Sequence, residues 1–474
     1  MHILKSMAGM SVAALVVFGC GQPDERSAVR EPQTVADENN AYLAAILDDR
    51  IFRAERNIGM AAAVILPDGA QIYTAGERIA GGGASITPDT IFEIGSLTKI
   101  FTSVILADMV AKGEVSLNDP ISKYLPTEVS LQNSLGDRIT LLHLATHTSG
   151  FERNPPNSNA RDERGIFANY GKDKLFEYLR NVTPESAPGE IYAYSNIGMG
   201  LLGYILAERA SVTYAELIKE RVFDPLGMVD THLVTPTAMD DRFAEPHNSI
   251  RKPSSRWDFD ILAGAGAIRS TLNDMQKFAA SFAGFGADVD ITTSIKSTYE
   301  QQYAIPGGDK SFYLGWISPT QTASGENIFW HDGGTGGSRS FFGFINNADR
   351  KQAVVILSNT AFSVNDIGLH LLDEERPLRE LESLREIELP VGALAPFPGV
   401  YQLGEDETMT ISEENGQLYA QVSNDKRYPV YPYKVNAFFY TVADAQIIFD
   451  IDDTGSVVSL ILVVEGHKRV AKKL

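Results

Sequence analysis

The stretch Phe92-Glu93-Ile94-Gly95-Ser96-Leu97-Thr98-Lys99, running on into apolar residues 100–110, restricts this chain more than any other part of it. Ile100, Phe101, Val104, Ile105, Leu106 and Met109 recur at helical spacing, and Gly113 after Lys112 reads as the stop. Ser96 therefore falls in the first turn, where free backbone N–H groups and the positive dipole end favour developing negative charge. The i,i+3 spacing puts Lys99 on the face that carries Ser96. Against the helix's apolar core face its ammonium is partly desolvated, which pushes the pKa down. A lysine that yields its proton beside a serine hydroxyl is a base beside a nucleophile. A core helix with a capping serine and a snorkelling lysine would produce the same stretch, which does not separate the two readings by itself.

At 474 residues the chain is too long for one ordinary domain, and 44% hydrophobic residues suffice for a large packed core. With 22% charged residues it is not a disordered polyelectrolyte. A formal net charge of -20 argues against nucleic acid or an anionic membrane surface as partner. Lys5 precedes an apolar segment, residues 7–19, and then Cys20. That length suits the core of a signal peptide and falls short of a membrane span. Val17-Phe18-Gly19-Cys20 resembles a bacterial lipobox, which implies a lipidated Cys20 as the first mature residue and a membrane anchor. Cys20 is the single cysteine, so no internal disulfide can form. Residues 21–40 are polar, charged and rich in Pro and Gln, as a tether would be. An ordinary secretory signal is the alternative, and both readings export the protein to the periplasm or cell envelope.

From residue 41 the pattern is that of an α/β (α+β) domain ending near residue 388. Residues 41–56 read as a helix, and residues 61–66 and 71–74 as two strands joined at Pro67-Asp68-Gly69. Residues 139–147, 175–180, 197–210 and 214–222 read as helices, and 151–172 as an irregular loop over a site. Residues 312–317, 327–331, 340–345 and 352–359 read as consecutive antiparallel strands, followed by a helical segment over 364–385. One sheet built from both ends of the domain is expected, flanked by helices, with a helical subdomain in the middle. Residues 389–474 carry short strands at 400–403, 409–411, 418–422, 437–442, 446–451 and 457–464, with no helical period. They predict a small all-β domain, sheet or barrel, whose role as ligand binder, cover or stabilising module is open.

Two further motifs turn the Ser96 stretch into a site. In Tyr194-Ser195-Asn196, at a loop-to-helix junction, a phenol can approach the nucleophile while an amide binds substrate. In Trp330-His331-Asp332-Gly333-Gly334, strand alternation puts His331 and Gly333 on one side, and a glycine there admits a substrate backbone as an extra strand. Either motif alone is usually just a turn.

Taken in order, Ser96-x-x-Lys99, Tyr194-x-Asn196 and His331-x-Gly333 resemble the marks of serine hydrolases of the class C β-lactamase and penicillin-binding DD-peptidase (peptidase S12) family. Gly113-Glu114, Leu117-Asn118-Asp119-Pro120, residues 139–150 and residues 221–226 look like further segments of that family, over roughly residues 41–388. The C-terminal strands resemble the lipocalin-like domain that some members append. The resemblance implies Ser96 as acyl-accepting nucleophile, Lys99 as its proton partner and Tyr194 as a second acid/base group. It implies Asn196, His331, Gly333 and Gly334 as substrate-binding positions, with the Ser96 and Gly334 N–H groups as oxyanion hole. It leaves open which of Lys99 and Tyr194 is the acylation base. The expected activity is acyl-enzyme hydrolysis of amide bonds in D-amino-acid cell-wall peptides or β-lactams. An esterase with the same machinery and a non-hydrolytic penicillin-binding or wall-sensing protein are the alternatives.

Where the family usually has Lys, this chain has His331, and Asp332 follows where a hydroxyl residue is common. A cation from His331 is expected only as it protonates, below about pH 6.5; Arg339 is the other candidate cation. Other constellations are poor. His143 and His147 lie four apart but lack the Glu of HExxH, and read as structural. No Gly-x-Ser-x-Gly and no P-loop occur, and Gly264-Ala265-Gly266 lacks the third glycine of a dinucleotide site. Neither a metal nor an organic cofactor is expected.

Overall fold

The computed structural model describes residues 40–474 apart from 160, 161, 163, 287, 305–310, 318, 406, 424, 425, 442, 443 and 465. The expected leader with Cys20, and the tether up to residue 39, lie outside the described residues. Among those described, no helix is long and apolar enough to cross a membrane.

The central sheet is antiparallel, with strands in the order Gly69–Gly76, Gly59–Leu66, Lys351–Ser358, Arg339–Asn346, Asn327–Gly334, Thr320–Gln321. Met60 pairs with Ser358 and Ile65 with Ala353, so the sheet joins the two ends of the domain as expected. The run Gly59-Met-Ala-Ala-Ala-Val-Ile-Leu66 lacks polar alternation because both of its faces are covered. Ala61, Ala63 and Ile65 pack into a core with Phe101 and Phe278. Met60, Ala62 and Val64 pack on the other side with Leu43 and Ile367. Helix Leu272–Ala283 covers one face, with Thr98–Ala111 packed against it through Phe101 on Phe278 and Asn196–Ala210 beyond, and Ala41–Asp48 and Asn365–Leu372 cover the other.

Helix Thr98–Ala111 differs from the expected half-buried helix. Every residue from Thr98 to Met109 is buried, so it runs through the core rather than along it. Residues 312–317 do not form a strand. Pairing stops after Ser311–Phe312, and Gly315, at φ +76°, turns the chain so that its N–H donates to the Ala145 carbonyl (3.0 Å). The helical segment expected over 364–385 ends at Leu372, and Pro377 lies in the extended connection beyond it. Helices Leu272–Ala283 and Thr292–Glu300 were not anticipated by the periodicity argument.

Residues 399–473 close into a barrel of eight antiparallel strands. Tyr401 pairs with Lys473 to join the first strand to the last. Tyr401, Met409, Leu418, Val430, Phe438, Phe449 and Leu460 fill its interior. Two of its strands escape a reading of hydrophobic pattern. Tyr428–Lys434 contains Pro429 and Pro432, and His467–Lys473 offers only Val470 and Ala471 as apolar residues.

Candidate active site

Strand Ile91–Glu93 delivers the chain to a turn at Gly95, whose φ of +51° is available to glycine at no steric cost. A Cβ on Gly95 would lie 2.6 Å from the Gly334 nitrogen, so the turn abuts the strand Asn327–Gly334. Ser340 Oγ donates to the Ile94 carbonyl (2.8 Å) and holds that contact from the next strand. From Ile91 to Met109 every residue is buried except Ser96. The fold hides the segment and leaves one hydroxyl at the wall of a cleft.

Lys99 is 0% exposed. Its Nζ donates to Ser96 Oγ (3.0 Å) and to the Ala265 carbonyl (2.6 Å), and lies 4.9 Å from the centre of the Tyr194 ring. Burial holds its pKa well below the usual 10.5; the Arg153 charge pushes the same way and Asp332 opposes it. Tyr194 is half-buried at the cleft wall, and desolvation pushes its phenol above its usual 10, with the neighbouring Ser96 lowering it and Asp332 raising it. Compared with water, the site therefore favours the uncharged amine and the protonated phenol on either side of the hydroxyl.

Helix Asn196–Ala210 aims the Tyr194 segment. Ser195 caps the helix, its Oγ accepting from the Gly198 N–H (3.0 Å) and donating to the Glu152 carbonyl (2.8 Å). Asn196 Nδ2 donates to Asn154 Oδ1 (2.7 Å). The Ser195 N–H donates to His147 Nδ1 (3.2 Å), and the His147 ring packs 4.4 Å from that of Tyr194. Burial keeps the His147 pKa well below its usual value. His147 lies beyond the end of helix Leu141–Ala145, at φ +56°, while His143 completes the capping box of Thr140. The two histidines read as a structural pair thus have separate tasks, one of them beside Tyr194.

His331 departs from its expected role. It is fully buried, its ring lies 6.0 Å from that of Tyr194, and it is absent from the cleft wall. Burial lowers its pKa to about 4, the Asp332 charge opposing and that of Lys99 assisting, so it does not become a cation near pH 6.5. Its Nδ1–H donates to the Asp332 carbonyl (2.5 Å). Gly333 faces the chain's own turn, where a Cβ would sit 2.0 Å from the Ile94 carbonyl oxygen. The close backbone approach anticipated at Gly333 is thus made first by the Ile94–Gly95 turn.

The cleft, of about 460 Å³, is lined by Ser96, Tyr194, Asn196, Asp332, Gly333 and Gly334 from the motifs. Its other walls include Arg153, Asn154 and Phe167 of the expected loop, Trp257, Phe259, and Arg339. The Arg153 guanidinium rests 4.8 Å from the Tyr194 ring centre. Arg339 Nη1 donates to the Thr335 and Ser338 carbonyls (both 2.8 Å). Asp332 Oδ2 accepts from Asn365 Nδ2 (3.1 Å). Glu93, buried behind the wall, accepts from the Trp257 N–H and from Thr335 Oγ (both 2.6 Å), and burial raises its pKa. It ties together the strand Ile91–Glu93, the Trp257 loop and the tip of the 327–346 hairpin. Sequence reasoning missed Glu93, Arg153, Trp257 and the Ala265 carbonyl. Among the described residues, no group of three or more His, Cys, Asp or Glu side chains could hold a metal ion.

A family model described as Beta-lactamase matches residues 44–374. The D-alanyl-D-alanine-carboxypeptidase/endopeptidase AmpH of Escherichia coli (strain K12) is 28% identical over 381 residues, 77% of this chain and 95% of its own. Among solved structures, the β-lactamase/D-alanine carboxypeptidase from Pseudomonas syringae superposes with a TM-score of 0.61 at 22% identity, over 72% of this chain and 100% of that one. The D-alanine carboxypeptidase AmpC from Burkholderia cenocepacia gives 0.58 at 23% identity, over 71% and 97%.

Proposed function

This chain belongs to the β-lactamase family, and from that premise we propose that it is a serine hydrolase forming an acyl-enzyme on Ser96. The observation that carries the reading is the fully buried Lys99 amine 3.0 Å from the one accessible hydroxyl of its segment. Ser96 Oγ attacks the substrate carbonyl as its proton passes to neutral Lys99 Nζ. Lys99 is favoured over Tyr194 as the base because burial lowers the amine and raises the phenol. Tyr194, still protonated, gives its proton to the leaving nitrogen and regains one from Lys99. The Ser96 and Gly334 N–H groups receive the oxyanion, a donor of this kind contributing on the order of 3 kcal/mol. Asn196, held by Asn154, orients the substrate amide.

The substrate class is D-amino-acid peptides of the cell wall, with β-lactams as analogues that are hydrolysed or that remain as acyl-enzyme. Support comes from the relatives named carboxypeptidases and from the cleft itself, where Arg153 and Arg339 outnumber Asp332 and so favour a carboxylate-bearing substrate. Export with lipidation at Cys20 is part of the same proposal and rests on the apolar residues 7–19 before that cysteine. Intact-mass analysis after exposure to a fluorescent penicillin, and separately to an activated ester, tests the chemistry. The expected adduct maps to Ser96 and is absent from Ser96→Ala; an adduct elsewhere, or one retained in that variant, would overturn it. In a bacterium the wild type should partition with membranes and Cys20→Ser should not; equal partitioning would refute the anchor.

A further inference from the structure

Away from the cleft, a second cavity of about 740 Å³ lies in the seam between the catalytic domain and the barrel. Five cations line it, Arg53 and Arg56 behind the first helix, Arg379 of the connecting segment, and Lys434 and Lys468 of the barrel. Two carboxylates, Glu380 and Glu382, line it with them. That excess of positive charge stands out in a chain of net charge -20.

Most of these cations are already paired. Lys434 binds Glu382 (2.5 Å), Arg53 binds Asp49, and Arg379 Nη1 donates to Asp444 Oδ2 (2.6 Å). Arg56 is the most deeply buried of the five. It is 3% exposed, and among the described residues its acceptor is Asp444 Oδ1, at 3.4 Å and shared with Arg379. Its Nε and Nη1 have no acceptor among the described residues, and the flat face of the guanidinium lies 4.1 Å from the Phe362 ring centre. Burial pulls its pKa down to about 10, Asp444 opposing, with Arg379 and Arg50 adding repulsion. Buried donors without acceptors are costly, and a guanidinium fork beside further cations suits a planar-faced oxyanion.

We propose that the seam cavity is an anion site that takes a compact oxyanion of the phosphate class, with the Arg56 guanidinium supplying positive charge from within the wall and Lys468 on its rim. Its ligands come from both domains, so the bound anion clamps the barrel to the catalytic domain and stabilises the folded chain by linkage. The phosphate group comes either from free inorganic phosphate or from a phosphomonoester, and the two sources share this chemistry.

The test uses the full exported chain, titrated with inorganic phosphate and separately with glycerol 3-phosphate, with chloride matching the ionic strength. Calorimetry should give a saturable isotherm for at least one of the two, and the thermal midpoint should rise with occupancy. Binding of the ester alone would assign the source as a phosphomonoester, and binding of both would assign the free anion. Lys468→Gln, at the solvent side, should weaken Kd at least about fivefold, and Arg56→Gln should abolish binding. If Arg56→Gln does not fold, Lys468→Gln decides by itself. Arg153→Gln should bind as the wild type does. Absence of any saturable response, wild-type binding by Lys468→Gln, or loss of binding in Arg153→Gln, which would put the anion in the catalytic cleft, would each overturn the proposal.

Discussion

Lys99 shows how a single side chain's chemistry depends on what surrounds it. Because burial lowers its folded pKa, the unfolded chain binds the proton more tightly between that lowered value and 10.5. Stability should therefore rise with pH across that interval, and Lys99→Met should flatten the rise when denaturant midpoints are compared between about pH 6 and 9. The same variant should lose about 10³-fold or more in kcat/KM, nearly as much as Ser96→Ala, since the two act as one unit. Retained acylation in Lys99→Met would make the lysine structural. His331 offers a second check. With its pKa lowered to about 4, the ratio of kcat/KM for a penicillin to that for a neutral ester should show no His331 step between about pH 5.5 and 8. A rise in that ratio on acidification through about 6.5 would mean that the imidazole reaches the cleft and titrates there.

At the scale of elements, the site depends on the strand Asn327–Gly334 pressing on the Gly95 turn. Gly95→Ala places a Cβ 2.6 Å from the Gly334 nitrogen at a φ of +51°, so the strand or the turn must shift. Displacing one oxyanion donor should lower kcat/KM about 10²-fold or more. Gly113→Ala makes the comparison, because Gly113 has a φ of +69° but open space around it. It should cost only the backbone strain, roughly 1–2 kcal/mol, with kcat/KM unchanged. Equal kinetic losses in the two variants would show that the contact with Gly334 is irrelevant to the chemistry. The loop carrying Trp257 is held from two directions. Its N–H at Trp257 meets Glu93, and Ser249 Oγ donates to the Tyr440 carbonyl of the barrel (2.9 Å).

For the whole molecule, the seam is where the barrel bears on the catalytic domain. Asp444 accepts from both Arg56, of the catalytic domain, and Arg379, of the connecting segment. Asp444→Asn removes the carboxylate that pairs with the buried Arg56, a loss of about 3–5 kcal/mol in systems of this kind. The unfolding free energy from urea titration should fall by that amount with the slope unchanged, and a shift under about 0.5 kcal/mol would mean that the pair contributes nothing net. Because the Ser249 loop runs on to Trp257, the same variant should also raise KM more than it lowers kcat.

Much of this architecture was legible where the physics is local. The Ser96-to-Lys99 spacing and the loop-to-helix junction at Tyr194-Ser195-Asn196 follow from the helical period, and the first two strands from short runs on either side of the turn at Pro67-Asp68-Gly69. The sheet's closure across the domain was legible too, because fully apolar strands need covering on both faces. Other features depend on residues distant in sequence. The Lys99 pKa is lowered by a core drawn from the whole domain, and its amine is steadied by a backbone carbonyl at Ala265, which has no side-chain signature. Strand Tyr428–Lys434 forms despite two prolines because its neighbours complete the barrel. His331 sits on the motif as expected, yet packing beneath Tyr194 keeps it uncharged. Sequence by itself determined which groups could react, because identity and spacing are covalent. Only the tertiary structure decided which of them carry charge, because desolvation is set by everything packed around them.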